Sequence, residues 1–232
     1  MSNLAQKEHP YKTARQTLDK EGWCVLEQVI PISIIEQGRQ IVRQAALKNG
    51  IDDIWNIKEE VPDFDTWMEI RKTVNYYSGL DRLVEDPELI SFVETILDTK
   101  VKTFPVNKVR LNLPFTKIAE HPWHQGEATW PDLAGQPSYT FWMPLTDSTP
   151  ENGLEVCKKN FSGKMIEHNK GKIGSGPFIE NEDFLMEEEN YRTDLKAGDV
   201  VIFNPFIAHR TIPNTAGKIR VSFDFRYAPA LT

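Results

Sequence analysis

Hydrophobic and polar positions repeat with one period in the first hundred residues of this chain and with another after them. Residues 11–20 read as a helix. Gly22-Trp-Cys-Val-Leu-Glu-Gln-Val-Ile30 then switches to the β-branched, apolar composition of a strand. Pro31 is placed to open the next helix, where its missing N–H costs nothing, and Ile32, Ile35, Ile41, Val42 and Ala45 recur at helical spacing as far as Gly50. Over residues 51–80 the aromatics Trp55, Trp67, Tyr76 and Tyr77 follow no clean period, which predicts loops and short helices wrapped over the core. Asp86-Pro-Glu88 predicts a short capped helix to Leu97, with Asp86 as the cap and Glu88 in the first turn, where the helix dipole favours an acid.

From Lys100 onward the period is two. Residues 101–113 place Lys108, Arg110 and Asn112 on one strand face and Val109, Leu111 and Leu113 on the other. Such a polar row ordinarily faces solvent; on a strand that lines a barrel it points at a site, and Asn112 or Arg110 would then touch a ligand. Further strands are predicted at 138–145, 154–158, 199–204 and 220–227, separated by turn-rich pieces such as Asp147-Ser-Thr-Pro-Glu-Asn-Gly153. The fold class expected is mainly β with helices, a double-stranded β-helix (jelly roll, cupin-like) core with packed N-terminal helices. A single domain spans 1–232, with a mostly helical layer and lid over 1–99 and the jelly roll over 100–232.

Composition narrows the partners. A net charge of −7 and a pI near 5.3 argue against nucleic acid, whose binders need a basic face to displace counterions. The first residues lack the apolar run of a signal peptide and no later window is long enough for a bilayer span, so a soluble, cytoplasmic protein without a membrane partner is expected. Cys24 and Cys157 each sit in an apolar, strand-like segment and read as buried free thiols. The glycine-rich stretch Gly171-Lys-Ile-Gly-Ser-Gly176 lacks the strand, helix and lysine–serine signature of a phosphate loop, and the acidic residues from Glu180 to Glu189 read as a solvated segment.

The chemistry gathers around His121-Pro-Trp-His124-Gln-Gly126-Glu127-Ala-Thr-Trp130 and, far downstream, Phe203-Asn-Pro-Phe-Ile-Ala-His209-Arg-Thr211. His124 and His209, on separate strand-like segments, read as two imidazole ligands of one metal. Two imidazoles leave open positions on a divalent ion, and iron(II) accepts mixed nitrogen and oxygen donors in octahedral geometry. In the usual iron oxygenase site a carboxylate two residues beyond the first histidine completes the set. Here that position is Gly126, which cannot ligate.

The chain resembles the phytanoyl-CoA dioxygenase superfamily of iron(II)- and 2-oxoglutarate-dependent enzymes. The likeness rests on Glu21-Gly-Trp23, Trp123-His-Gln125, Asp147-Ser-Thr-Pro-Glu-Asn-Gly153, Ala197-Gly-Asp-Val-Val-Ile-Phe203 and His209-Arg-Thr211 followed by Arg220, in this order. It implies that His124 and His209 hold iron, that Arg220 forms a two-pronged ion pair with the distal carboxylate of 2-oxoglutarate, that Thr211 adds a hydroxyl, and that Trp142 walls the co-substrate pocket. A planar guanidinium suits that carboxylate in a way lysine does not. Dioxygen (O2) is the remaining co-substrate.

Gly126 gives the resemblance a narrower meaning. In halogenases similar to this superfamily the carboxylate position is Gly or Ala, and chloride fills the vacated site, restoring one negative charge. Hydrogen is then taken from an aliphatic carbon and chlorine returned to it. Arg226 shares a strand face with Arg220 if alternation holds, and either lends positive potential near the halide or makes an ordinary ion pair with Asp224 or another carboxylate. Three alternatives stay open: a hydroxylase whose third ligand is water or Glu127 reaching the metal through a bulge, although on a regular strand residue 127 faces away from 124; a metal-free binding module of the same fold; and an Asp replaced by Gly through engineering. The motif is also similar to that of freestanding halogenases acting on small polar molecules such as free amino acids, which implies that His121 and Glu127 bind a carboxylate and an amine of the substrate and that Arg71 anchors a carboxylate. The bland readings are that His121 orders the turn at Pro122, Glu127 is solvated and Arg71 lies on an exposed helix face. A nucleotide or a substrate tethered to a carrier protein leaves no signature here; a free small molecule is favoured.

Overall fold

A computed structural model describes residues 5–57, 61–76, 78–104, 107–116, 120–129, 135, 137–159, 161, 163–169, 176–186 and 189–230, without the side chains of 5–10, 78 and 127. Trp130, Tyr77 and most of the glycine-rich stretch fall outside these residues. In chain order the elements are α1 (Ala5–Glu21), β1 (Trp23–Leu26), α2 (Ile32–Lys48), a 3-10 turn (Ile54–Asn56), α3 (Phe64–Asn75), α4 (Ser78–Val84), α5 (Pro87–Leu97), β2 (Val101–Thr103), β3 (Lys108–Asn112), α6 (Gly126–Thr129), β4 (Tyr139–Pro144), β5 (Leu154–Val156), β6 (His168–Asn169), β7 (Phe178–Ile179), α7 (Asp183–Met186), β8 (Tyr191–Arg192), β9 (Val200–Phe203), β10 (His209–Thr211) and β11 (Arg220–Pro229).

The helices form where the spacing of apolar residues dictates. α2 buries Ile34, Ile35, Gly38, Ile41, Val42, Ala45 and Ala46, while Pro31 stands at the cap just outside the helix rather than at its first position. Gly38 lets this helix lie on the sheet, because a Cβ there would come within 2.5 Å of the Phe223 ring. Asp86 caps α5 by accepting from the Glu88 and Leu89 N–H groups, as its sequence predicts. The irregular region expected over 51–80 instead contains the twelve-residue α3. Asp63 caps it through the Thr66 N–H at 2.8 Å, and Trp67, Ile70 and Val74 supply a buried stripe that the scattered aromatics obscure.

β11 is the central strand. It takes β4 along one side and β3 followed by β2 along the other, in the order β1-β9-β4-β11-β2 with β3 also on β11. The single strand expected over 101–113 is therefore two strands that share one partner. β10-β5-β8 form a second sheet, and His124 joins its edge by a reciprocal backbone bridge to His209, both N–H···O distances being 3.0 Å.

The two faces of the large sheet differ. One lies under the helices, where Phe141, Met143, Val221, Phe223, Phe225 and Tyr227 pack against α2, α4 and α5. Burying each large side chain contributes about 1.5–3 kcal/mol. The other faces the small sheet across a second apolar cluster of Trp142, Leu154, Val156, Leu195, Val201, Phe203 and Ile207. Phe141 and Trp142 thus fall to opposite sides of β4, so Trp142 alone of the two faces the interior of the jelly roll. Cys24 and Cys157 are buried free thiols, and burial pushes the Cys24 thiol up to about 12. Among the described residues, no helix is long and apolar enough to cross a membrane.

Candidate active site

Alternation along β11 sends Val221, Phe223 and Phe225 into the helix-side core and turns Arg220, Ser222, Asp224 and Arg226 toward the space between the sheets. The same space receives His124 and His209. Their backbones are tied by the reciprocal bridge, and their ring centroids lie 4.2 Å apart. His124 Nδ1 is 2.8 Å from the Pro122 carbonyl and His209 Nδ1 is 2.9 Å from the Ile207 carbonyl. A carbonyl only accepts, so each Nδ1 carries the hydrogen and each Nε2 keeps the lone pair that a metal needs. Burial holds both imidazoles neutral: it drives His124 well below its ordinary value, helped by the neighbouring His209, and lowers His209 to about 3.

The two rings therefore fit a divalent metal as neutral nitrogen donors. No set of three His, Cys, Asp or Glu side chains among the described residues converges as a metal site, so these side chains supply two donors and not a third. Gly126 stands where a carboxylate would complete the set. It opens the helical turn α6 and is not on a regular strand, so strand alternation does not turn residue 127 away as the sequence reading supposes. The Glu127 side chain lies outside the described residues. A Cβ at 126 would meet only Pro205 at 3.7 Å, ordinary contact.

Gln125, between His124 and Gly126, is completely buried and fastens three loops. Its Nε2 donates to the Lys164 and Phe206 carbonyls, its Oε1 accepts from the Ile166 N–H, and its own N–H donates to His168 Nε2. The Thr211 N–H donates to the His121 carbonyl at 2.9 Å, which ties β10 to the start of the histidine motif. The His121 ring lies 4.6 Å from that of His124, with a buried Nδ1 that has no partner among the described residues. Burial lowers His121 well below its ordinary value, and the charge of Arg110 adds to that.

Arg220 is 1% exposed, and no carboxylate of the described residues pairs with it. Its Nε donates to the Asn152 carbonyl at 3.0 Å, its Nη1 donates to Ser222 Oγ at 2.9 Å, and its guanidinium lies 5.6 Å from the centre of the Trp142 ring. Burial lowers it to about 10, still cationic at neutral pH. Asp224 on the same strand face offsets part of the cost of burying this charge without a direct ion pair, and a buried guanidinium so placed would suit an anionic ligand. Trp142 and Thr211 line the cleft with Arg220 and the histidines. Asn112 pairs with Arg220 across β3–β11 and spends its amide N–H groups on the Asn152 and Ile212 carbonyls, and its buried Oδ1 has no partner among the described residues.

Asp224 takes Arg110 as its ion-pair partner, at 2.8 Å, rather than Arg226. Arg226 is 6% exposed, lies on the Arg220 face of β11 and is lowered to about 10 by burial; its charge acts on both His124 and His209. Arg71 is half-buried, not on an exposed face, with its guanidinium 5.3 Å from the centre of the Trp67 ring.

The profile of the phytanoyl-CoA dioxygenase (PhyH) family matches residues 18–222, which include both histidines and Arg220. The chain belongs to this family. Solved structures of the same fold include EvdO2 from Micromonospora carbonacea var. aurantiaca complexed with 2-oxoglutarate, with TM-score 0.68 and 17% identity over 94% of this chain and 90% of that one. The α-ketoglutarate-dependent epimerase SnoN of nogalamycin biosynthesis has TM-score 0.64 and 14% identity, covering 96% of this chain and 82% of that one. EctD from S. alaskensis, solved with 2-oxoglutarate and 5-hydroxyectoine, has TM-score 0.63 and 19% identity, covering 93% and 74%. This PhyH chain is thus an enzyme of the iron- and 2-oxoglutarate-dependent oxidoreductase superfamily.

Proposed function

We propose that this PhyH enzyme is an iron(II)- and 2-oxoglutarate-dependent halogenase that chlorinates an unactivated aliphatic C–H bond of a small polar metabolite. One observation carries the reading: Gly126 removes the carboxylate donor at a position where the fold leaves ordinary room for a Cβ. His124 and His209 would hold the metal through Nε2. Arg220, assisted by Thr211 and walled by Trp142, would hold the distal carboxylate of 2-oxoglutarate. Bound iron, with 2-oxoglutarate, chloride and dioxygen, supplies hydrogen removal from carbon and chlorine return to it. The protein fixes both imidazoles in one tautomer, excludes water with Phe203 and Leu154, and surrounds the halide position with the positive potential of Arg226.

A second reading has one observation in its favour. Because α6 begins at Gly126, Glu127 follows a helical turn, and a carboxylate from that turn would make the enzyme a hydroxylase. Anaerobic titration with iron(II) and 2-oxoglutarate, with and without chloride, separates the two. Halogenation predicts a visible charge-transfer band that changes with chloride, and its loss of chloride response in Gly126→Asp. A band indifferent to chloride in the unaltered enzyme supports hydroxylation, and no band at all rejects iron. Chlorinated product from Gly126→Asp would refute the halide-site argument.

A further inference from the structure

We infer that His168 is a positioning residue of the metal site: its Nε2 accepts the Gln125 N–H and so holds the backbone next to His124. This rests on the reading of His124 as an iron ligand and names a residue that acts on that ligand through the chain beside it.

The chain at His124 is held along both of its edges. On one, His124 exchanges both backbone hydrogen bonds with His209, at 3.0 Å each. An extended chain turns the polar groups of the flanking residues to the opposite edge, and there the β6–β7 hairpin meets them. The Ile179 N–H donates to the Trp123 carbonyl at 2.8 Å, and the Gln125 N–H donates to His168 Nε2 at 3.0 Å. A side chain thus takes the place that a second backbone carbonyl would have in the ladder. The Gln125 amide turns to the same segment through Ile166 and Lys164, and to the Phe206 carbonyl ahead of β10, so residue 125 joins the hairpin to the approaches of both histidines.

The tautomer makes His168 an acceptor. His124, His209 and His168 each set Nδ1 against the carbonyl two residues earlier, at 2.8, 2.9 and 2.7 Å. All three therefore carry hydrogen on Nδ1 and a lone pair on Nε2. Two of those lone pairs face the cleft; the third is spent on Gln125. Burial lowers His168 below its ordinary value, which favours this neutral form. Gly126 follows at once and opens α6 without a side chain to anchor it, so the junction beside His124 depends on what holds residue 125. The hairpin has its own seat, because Ile179 and Ile166 pack with Trp123 in one apolar cluster; loss of the His168 bond should leave it in place.

Two conservative variants separate the ring nitrogens. In His168→Gln the side-chain carbonyl reaches as far as Nε2 and nothing replaces Nδ1. In His168→Asn the amide nitrogen replaces Nδ1 and the side chain stops one bond short of the Gln125 N–H. Iron(II) affinity of the full chain, measured anaerobically by chelator competition, should fall about fivefold or more in His168→Asn and stay within about twofold in His168→Gln, the scale of one buried hydrogen bond behind a ligand. The exposed Asn169→Ala should also stay within about twofold. Hydrogen exchange of the Gln125 amide in the metal-free proteins should follow the same order, about tenfold faster in His168→Asn and little changed in His168→Gln. A role confined to the Ile166 bond predicts the reverse order. Should His168→Asn fail to fold, the nitrogen–nitrogen NMR coupling across the Gln125–His168 bond of the unaltered protein decides: a change on adding zinc(II), a diamagnetic stand-in for iron(II), supports the inference, and no change overturns it. His168→Asn with affinity within about twofold of the original, or His168→Gln weakened as much as His168→Asn, also overturns it. An unaltered protein that takes up no iron fails differently, removing the ligand reading of His124 and this role together.

Discussion

Replacing Arg220 by methionine separates a residue kept for a ligand from one kept for the fold. Burial lowers this guanidinium from its ordinary 12.5 to about 10, and at about 1.4 kcal/mol per pH unit the charged form costs the metal-free fold about 3 kcal/mol. Against that stand its hydrogen bonds to the Asn152 carbonyl and Ser222 Oγ and its stack on Trp142, each worth about 1 kcal/mol. The terms nearly cancel. Metal-free Arg220→Met should therefore unfold within about 2 kcal/mol of the unaltered protein, a shift of only a few degrees in Tm for a chain of this size. Binding of 2-oxoglutarate should respond far more strongly, because removing one partner of a buried, charged pair costs about 2–5 kcal/mol, or roughly 30-fold to several thousand-fold in Kd. Arg220→Lys keeps the charge but loses the fork and should recover little of this. Thermal denaturation of the metal-free proteins and anaerobic titration of 2-oxoglutarate onto the iron-loaded ones read the two quantities. A stability loss above about 4 kcal/mol, or a Kd within about threefold of the original, would refute the reasoning.

Gly153→Ala should destabilise the chain by about 2–4 kcal/mol in urea titration, because its Cβ would collide with Thr193 Oγ1 and lie 2.6 Å from Ser148 Oγ in a buried hydrogen-bonded turn. It should also weaken 2-oxoglutarate binding through Asn152, whose carbonyl holds Arg220; an unchanged urea midpoint would show that the turn yields freely. His124→Ala and His209→Ala should each leave the dialysed protein with background iron by metal analysis, and near-stoichiometric iron in either would remove that residue from the ligand set. The metal-free protein should lose stability as pH falls. Below about 6.5 the unfolded chain protonates its histidines, while burial keeps His121, His124 and His209 neutral when folded, His209 down to about 3. Each such histidine steepens the loss by about 1.4 kcal/mol per pH unit below 6.5 and contributes nothing above it. Urea midpoints at pH 7.5, 6 and 5 check this, and a flat profile would show that the rings ionise in place.

β11 is legible from alternation of an apolar with a polar face, and β4 and β9 from short apolar runs, each to within a residue or two of its ends. α3 was not, because its stripe of Trp67, Ile70 and Val74 is short and lies among exposed aromatics such as Tyr76. His124, His209 and Arg220 stand in motifs legible in the sequence, and their meeting follows from a jelly roll that brings strand ends together. Asn152 also stands in such a motif, but its work is done by a backbone carbonyl, which leaves no side-chain signature. His168 receives the Gln125 N–H from a distant hairpin, and a lone histidine gives no hint of that partner. The ion pair of Asp224 with Arg110, rather than Arg226, depends on which cross-strand neighbour reaches it, a matter of register that alternation along one strand does not decide.

Glycines in this chain differ in why they are glycine, and the difference bears on residue 126. At Gly38 a Cβ would strike the Phe223 ring, and at Gly153 it would strike buried hydroxyls; packing alone excludes side chains there. Gly198, with φ of +106°, occupies a backbone region that other residues avoid. Gly126 has none of these reasons: its φ is outside the positive range, and a Cβ would rest at 3.7 Å from Pro205. Nor do the histidines need a carboxylate there to stay in place, since the reciprocal His124–His209 bridge and the carbonyls of Pro122 and Ile207 fix both rings. A carboxylate could be lost from this position without disturbing the fold or the tautomers, so its absence acts on the chemistry of the metal alone. That is the condition a halide-binding site requires, and it is why a single residue carries the proposed change of reaction.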